Sequence, residues 1–132
     1  MEKTKEEAEE NKVKALIIAA HGSRKNESNA EVASLADRLS KKATGSFESV
    51  DYAFLQFAEP LLESKIEELA RKGIKKIVIF PFFIAAGSHI RTDIPEIVKK
   101  SAAAHGDIEF IVTDHLGKIQ AVEEIILREV MH

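Results

Sequence analysis

Four short runs rich in apolar and β-branched residues, Ala15 to Ala20, Val50 to Leu55, Lys76 to Phe82 and Ile108 to Val112, each give way to a stretch of helical spacing. After the first, Val32, Leu35, Ala36 and Leu39 recur at i, i+3, i+4 and i+7; after the second come Leu62, Ile66, Leu69 and Ala70. Ile97, Val98 and Ala102 follow the third run, and Ile119, Val122, Ile125, Ile126 and Val130 the fourth. Parallel strands can be joined only by long crossovers, and those crossovers pack as right-handed helices on the faces of the sheet. The alternation therefore predicts an α/β domain: a doubly wound four-stranded parallel sheet with helices on both faces.

Punctuation residues place the boundaries. Pro60 suits the first turn of the second helix, where its missing N–H costs nothing, and Gly73 suits the position just after that helix ends. The third helix is expected to open near Asp93 to Pro95. Residues 1–13, almost all charged or polar, read as a frayed or solvated helical segment, leaving 14–132 as one domain. At 132 residues, 45% of them hydrophobic, the chain can bury a core without a disulfide or structural metal. It contains no cysteine, which removes thiolate metal sites and Cys nucleophiles and leaves His, Asp and Glu as candidate ligands. A formal net charge of −3 gives no electrostatic reason to expect nucleic acid or an anionic membrane as partner. The apolar runs are too short to span a bilayer, and the N-terminal segment lacks the apolar core of a signal peptide, so a cytoplasmic protein is expected.

Ligands of open α/β sheets bind beyond the carboxyl ends of the strands, beside the point where strand order reverses. Two histidines fall there. His21 follows the first strand in "AAHGSR", and His89 follows the third in "AAGSHIR". In a flavodoxin-like order 2-1-3-4 the first and third strands are neighbours, so both imidazoles emerge on one rim. A single loop histidine is most often exposed or locally hydrogen-bonded. Two converging ones, each near a glycine that lets backbone approach a ligand, point to a site.

The ordered set "AAHGSR", "FLQFAEPLLESKIEEL" and "PFFIAAGSHIRTDIPEIV" resembles the small, single-domain CbiX type of sirohydrochlorin chelatase, over nearly all of the chain from residue 14. The resemblance implies a chelatase-like half fold, a homodimer, and insertion of Co²⁺ into the tetrapyrrole sirohydrochlorin on the anaerobic cobalamin route. Relatives use Ni²⁺ or Fe²⁺, and no organic cofactor is implied. Carried over residue by residue, the metal-handling histidines fall on His21 and His89. Imidazole fits the task, since it binds cobalt, nickel and zinc in its neutral form, and in that form it can accept a pyrrole proton.

A carboxylate-rich macrocycle calls for cations and hydrogen-bond donors at the site's edge. Arg24, Lys25 and Arg91 supply the first, with a solvated surface as the alternative, and the nearby helix N-termini add N–H groups. Ser23 and Ser88 can donate to a carboxylate or cap a helix, and Gly87 offers close backbone approach. Phe54, Leu55, Phe57, Phe82 and Phe83 can face a macrocycle or fill the core. Gln56, Glu59 and His115 are secondary candidates, although Glu59 and Asp93 also read as helix-start residues. His105 and His132 read as exposed bystanders. Where the family pattern continues with proline after Leu116-Gly117, this chain has "KIQAVEE", which weakens any contact from that loop. Two other readings stand beside the chelatase: a metal or tetrapyrrole carrier without turnover, and a phosphohistidine enzyme, for which no Gly-rich lysine loop exists.

Overall fold

The computed structural model describes residues 4–85 and 87–131, and for residues 88–91 the backbone only. Along the chain the elements are α1 (Lys5–Asn11), β1 (Lys14–Ala20), α2 (Asn26–Lys42), β2 (Ser49–Phe54), α3 (Leu62–Arg71), β3 (Lys76–Pro81), α4 (Ser88–Ala104), β4 (Glu109–Val112) and α5 (Ala121–Val130), with one 3₁₀ turn at Leu116–Lys118. The sheet is parallel with order β2-β1-β3-β4, the doubly wound arrangement expected from the alternation.

β1 is the central strand, which explains its composition. A parallel strand covered on both faces has no polar side to present, and Ala15, Ile17, Ile18, Ala19 and Ala20 are all buried. On one face of the sheet, Ile77 and Ile79 join Ala15, Ile17 and Ala19 beneath Leu62, Ile66 and Leu69 of α3 and Ile94 of α4. On the other, Ile18, Ala20 and Phe54 meet Val32 and Ala36 of α2. Both helical stripes read from the sequence thus face the sheet.

α3 ends as its glycine predicts. Gly73 takes φ +87°, its N–H bonds the Ala70 carbonyl, and the Ile74 N–H reaches back to that of Leu69, closing the last turn. Its start differs from expectation. Leu61 is the cap and Pro60 lies one residue further out, joined to Glu59 by a cis peptide bond, so neither residue is in the first turn. The reason lies in the backbone: the Pro60 carbonyl accepts from the Phe54 N–H, which holds it beside the end of β2 and delays the helix.

α4 also departs from the expected boundary. It opens at Ser88 and carries Pro95 inside, with Gly87 as its cap. Asp93 is therefore a mid-helix residue and caps nothing. A proline removes one N–H and crowds the carbonyl four residues earlier, which normally marks a boundary; here the buried Ile94 ties this part of α4 to the core. The N-terminal segment forms the short α1, capped by the Thr4 hydroxyl and wholly solvated on its charged faces.

Charge closes the edges of the sheet. Lys65 on α3 lies 3.7 Å from Asp51 of β2 and 2.5 Å from Glu68, and its hydrogen bond and charge hold the Glu68 carboxyl below its ordinary range. Lys75 bonds Asp107 across the β3–β4 entrance, with the same effect on that carboxyl.

Two outcomes follow from this packing. Replacing the fully buried Ile79 by Ala should lower the unfolding free energy by about 2–5 kcal/mol in urea titrations at constant m-value. Because the folded-state values of Glu68 and Asp107 lie below the unfolded ones, their contribution is present above the ordinary carboxylate range and lost as pH falls through it. Lys65→Met should flatten the acid limb of the stability–pH curve between about pH 5 and pH 3.

Candidate active site

The site begins where β1 ends. One residue past Ala20, His21 sits exposed on the C-terminal rim, and the backbone ladder continues past the strand to hold it there. The Leu55 N–H donates to the Ala20 carbonyl at 3.0 Å, and the Gln56 N–H to that of His21 at 3.1 Å. This extended pairing brings the Gln56 side chain over the imidazole, with its amide nitrogen 3.2 Å from Nε2 and 3.3 Å from Nδ1. The ring's Nδ1 also lies 3.4 Å from the Gly22 carbonyl oxygen, so polar contacts from both rim loops hold the imidazole in place.

Glycine at position 22 is a steric requirement. Its φ is +95°, and a Cβ there would stand 1.8 Å from the Gln56 carbonyl oxygen. Two rim loops meet at this point with no room for a side chain. Beyond it, Asn29 of α2 brackets Ser23: its Oδ1 accepts from the Ser23 N–H at 3.0 Å and its Nδ2 donates to the Ser23 carbonyl at 2.7 Å. The Ser23 hydroxyl accepts from the Lys25 N–H at 3.0 Å, closing the turn into α2. Lys25 is the cap residue and makes no side-chain capping bond.

Phe57 is the unusual member of the rim. It is exposed, it adopts φ +66°, and the Arg24 guanidinium lies 4.6 Å from its ring centroid. A bulky residue in the left-handed region costs roughly 1–2 kcal/mol, and such strain gathers at functional sites. The other aromatic candidates fall elsewhere. Phe54 is core, while Leu55, Phe82 and Phe83 are half-buried against the two apolar clusters. Glu59 is exposed on the same loop.

The second half of the site comes from the segment after β3. Since β3 pairs with β1, the loop leading to α4 starts beside His21, and the Phe82 N–H bonds the Ala19 carbonyl at 2.7 Å. His89 falls in the first turn of α4 with Ser88 and Arg91; the side chains of these three lie outside the described residues. Among the described residues, nothing lies within 4 Å of a would-be Cβ at Gly87, the cap of α4. His115 stacks on Phe83 with centroids 5.5 Å apart, and the following Gly117 packs so tightly that a Cβ would lie 1.7 Å from the Ile84 carbonyl oxygen. The loop after β4 is thus fastened to the loop after β3.

The remaining histidines sort cleanly. His105 is half-buried at the C-terminal end of α4, its Nε2 3.9 Å from Glu67, so it is less exposed than expected and belongs to the opposite end of the sheet. His132 lies outside the described residues. A cleft of about 820 Å³ opens from His21 along α2, bounded by Leu35, Arg38, Phe54 and Phe82. Among the described residues no three His, Asp or Glu cluster as a ready-made metal site, and no helix is long and apolar enough to cross a membrane. Sequence reasoning passed over Asn29, whose only signal is a side-chain amide six residues after the serine it brackets.

A doubly wound sheet with a histidine on the rim at its strand-order reversal is the arrangement in which open α/β sheets hold ligands beyond their strand ends. The chain belongs to the CbiX family, whose model matches residues 15–132. It is 30% identical over 117 residues to the chloroplastic sirohydrochlorin ferrochelatase of Arabidopsis thaliana, and 31% identical over 121 residues to the sirohydrochlorin cobaltochelatase of Saccharolobus solfataricus. The first match covers 89% of this chain but 51% of the relative; the second covers 87% and 91%. Among solved structures, a CbiX protein of cobalamin biosynthesis from Marinobacter aquaeolei superposes with TM-score 0.68 at 25% identity, over 89% of this chain and 97% of that one. SirB from Bacillus subtilis with Fe³⁺ shares the fold, with TM-score 0.74 at 22% identity, covering 87% of this chain and 45% of its own. The family is one of sirohydrochlorin chelatases, enzymes of metal insertion.

Gly22→Ala should cost at least about 2 kcal/mol in chemical denaturation, because strain at φ +95° adds to the clash with the Gln56 carbonyl. A variant as stable as the parent would show that the two rim loops can separate freely.

Proposed function

We propose that this protein is a sirohydrochlorin cobaltochelatase that inserts Co²⁺ into sirohydrochlorin for cobalamin synthesis in the cytoplasm. The observation that carries the reading is His21, exposed on the rim under the Gln56 amide, just past the end of the strand that pairs with the one leading to His89. Insertion exchanges one M²⁺ for two pyrrole protons. It needs a ligand that holds the ion yet releases it, and a base to receive protons as the metal–nitrogen bonds form. His21 and His89 serve as the transient ligands, and the same imidazoles or solvent carry the protons away. Water and macrocycle nitrogens complete the coordination sphere, since transfer requires an open site.

Around that centre the carboxylate-bearing edge of the substrate meets Arg24, Lys25 and Arg91, together with the Ser23 hydroxyl and the N–H groups opening α4 at Gly87 and Ser88. Phe57, held in place by Arg24, presents a ring face to the macrocycle. Gln56 positions His21, and Glu59 and His115, on the loops after β2 and β4, are secondary substrate contacts. Iron is the second reading, favoured by the Arabidopsis relative, which is named a ferrochelatase; nickel has similar demands on imidazole and is compared with it.

The test is direct. Purified protein is mixed with sirohydrochlorin and Co²⁺, Fe²⁺ or Ni²⁺ in parallel, anaerobically, and the macrocycle's absorption is followed. Acceleration over the protein-free mixture is expected, fastest with Co²⁺, and His21→Ala should slow it by about 10²-fold or more. Saturable metal or tetrapyrrole binding with no acceleration would make the protein a carrier. An unaltered rate in His21→Ala or His89→Ala would remove that residue from the reaction.

A further inference from the structure

Asn29 uses both ends of its amide on one stretch of backbone. Its Oδ1 accepts from the Ser23 N–H at 3.0 Å and its Nδ2 donates to the Ser23 carbonyl at 2.7 Å, so the turn after His21 is gripped from within α2. The Ser23 hydroxyl tightens the same turn by accepting from the Lys25 N–H at 3.0 Å. Arg24 lies between these bonds, with its backbone fixed on both sides. Across the rim, the loop after β2 is fastened to this turn: the Gln56 N–H bonds the His21 carbonyl, and the Gln56 carbonyl leaves no room for a Cβ at Gly22. Phe57 follows directly, at φ +66°, with the Arg24 guanidinium carbon 4.6 Å from its ring centroid.

A cation that serves only to solvate a surface needs no such restraint. Arg24 and Phe57 are both exposed. Among the described residues no carboxylate pairs with Arg24 and no acceptor takes its N–H groups. A left-handed phenylalanine is the less stable choice at its position, where glycine would be free of strain. A guanidinium lying over a ring keeps its N–H edges free and offers them as a planar fork that matches a carboxylate with two parallel hydrogen bonds. An ammonium such as that of Lys25 attracts the same group without orienting it. Three residues of chain span at most about 10 Å, so Arg24 is within reach of the edge of a planar macrocycle whose centre stands at His21.

We propose that Asn29 and Phe57 are positioning residues that hold the Arg24 guanidinium as a fixed fork for one carboxylate of the substrate, and that this fork sets how the macrocycle lies over His21. The proposal rests on the tetrapyrrole substrate argued from the rim histidines. Asn29 acts from behind, through the Ser23 backbone. Phe57 acts from the side, where its strained backbone keeps the ring against the guanidinium.

The test uses a metal-free octacarboxylate porphyrin, which binds without reacting, with its dissociation constant for the full chain read from porphyrin fluorescence. Arg24→Lys keeps the charge and removes the fork, and should weaken binding about tenfold or more, as for loss of a charge-assisted hydrogen bond. Asn29→Ala and Phe57→Gly should each weaken it by roughly three- to tenfold, the effect of having to immobilise one more rotamer-rich side chain on binding. Phe57→Tyr, which keeps the ring, should restore the parent's affinity. Phe57→Gly also relieves the left-handed strain, so its melting temperature should stay close to the parent's while its affinity falls. In the Arg24→Lys background the losses from Asn29→Ala and Phe57→Gly should disappear, because residues that act through one group are not additive. Additive losses would mean that Asn29 and Phe57 act on the fold at large or touch the macrocycle directly, and would overturn the proposal. Arg24→Lys binding as tightly as the parent would overturn it as well, and would leave the chelatase reading standing. A parent that does not bind the porphyrin defeats both. Fork-dependent binding in a protein that does not accelerate metal insertion supports the fork and defeats only the enzyme reading.

Discussion

The backbone pairing of β1 with a strand on each side organises everything else. Because β1 is central, its side chains are confined to small and branched apolar types, and its end is the one point where both neighbouring crossovers leave the same rim. The pairing does not stop with the strand. Hydrogen bonds from Leu55, Gln56 and Phe82 to the carbonyls of Ala20, His21 and Ala19 extend the ladder into the loops. The histidine is therefore carried by sheet geometry, and a rim built that way can aim a ring with the precision of a strand.

That extension sets the cost of the surrounding residues. With Gln56 drawn over His21, its carbonyl occupies the space beside position 22, and only glycine at positive φ passes beneath it. Phe57 then leaves the ladder in a left-handed conformation that a β-turn glycine would adopt more cheaply. The chain retains a phenyl ring there, exposed and covered on one side by Arg24, where folding alone offers no return for the strain. Gly117 repeats the logic across the rim, where a glycine lets the loop after β4 lie flat on the one after β3.

The fold was legible because its signals are periodic. Alternating β-branched runs and helical stripes revealed the element order, and the central burial of β1 showed in its composition. Boundaries failed where a long-range bond outranked a local preference: the Pro60 carbonyl's bond to Phe54 displaced the start of α3, and burial of Ile94 carried α4 through Pro95. At the site, His21 and its glycine could be read from "HGS", since a polar ring directly after a buried strand lands on the rim where open sheets hold their ligands. The roles of Asn29 and of the Phe57 backbone could not, because each depends on a contact or dihedral that no spacing encodes.

The His21–Gln56 contact also bears on how a metal could be handed over. The amide nitrogen lies within hydrogen-bond reach of both ring nitrogens, and Nδ1 also faces the Gly22 carbonyl oxygen, so the ring is held by polar contacts from both rim loops. An incoming cation must displace the amide contact, and the loss of one neutral hydrogen bond, worth about 1 kcal/mol net, is subtracted from the ion's affinity. On departure of the ion the amide returns and recovers the same energy. A side chain positioned this way weakens retention without moving the ligand, which suits a protein that must give up its metal more than one that must keep it.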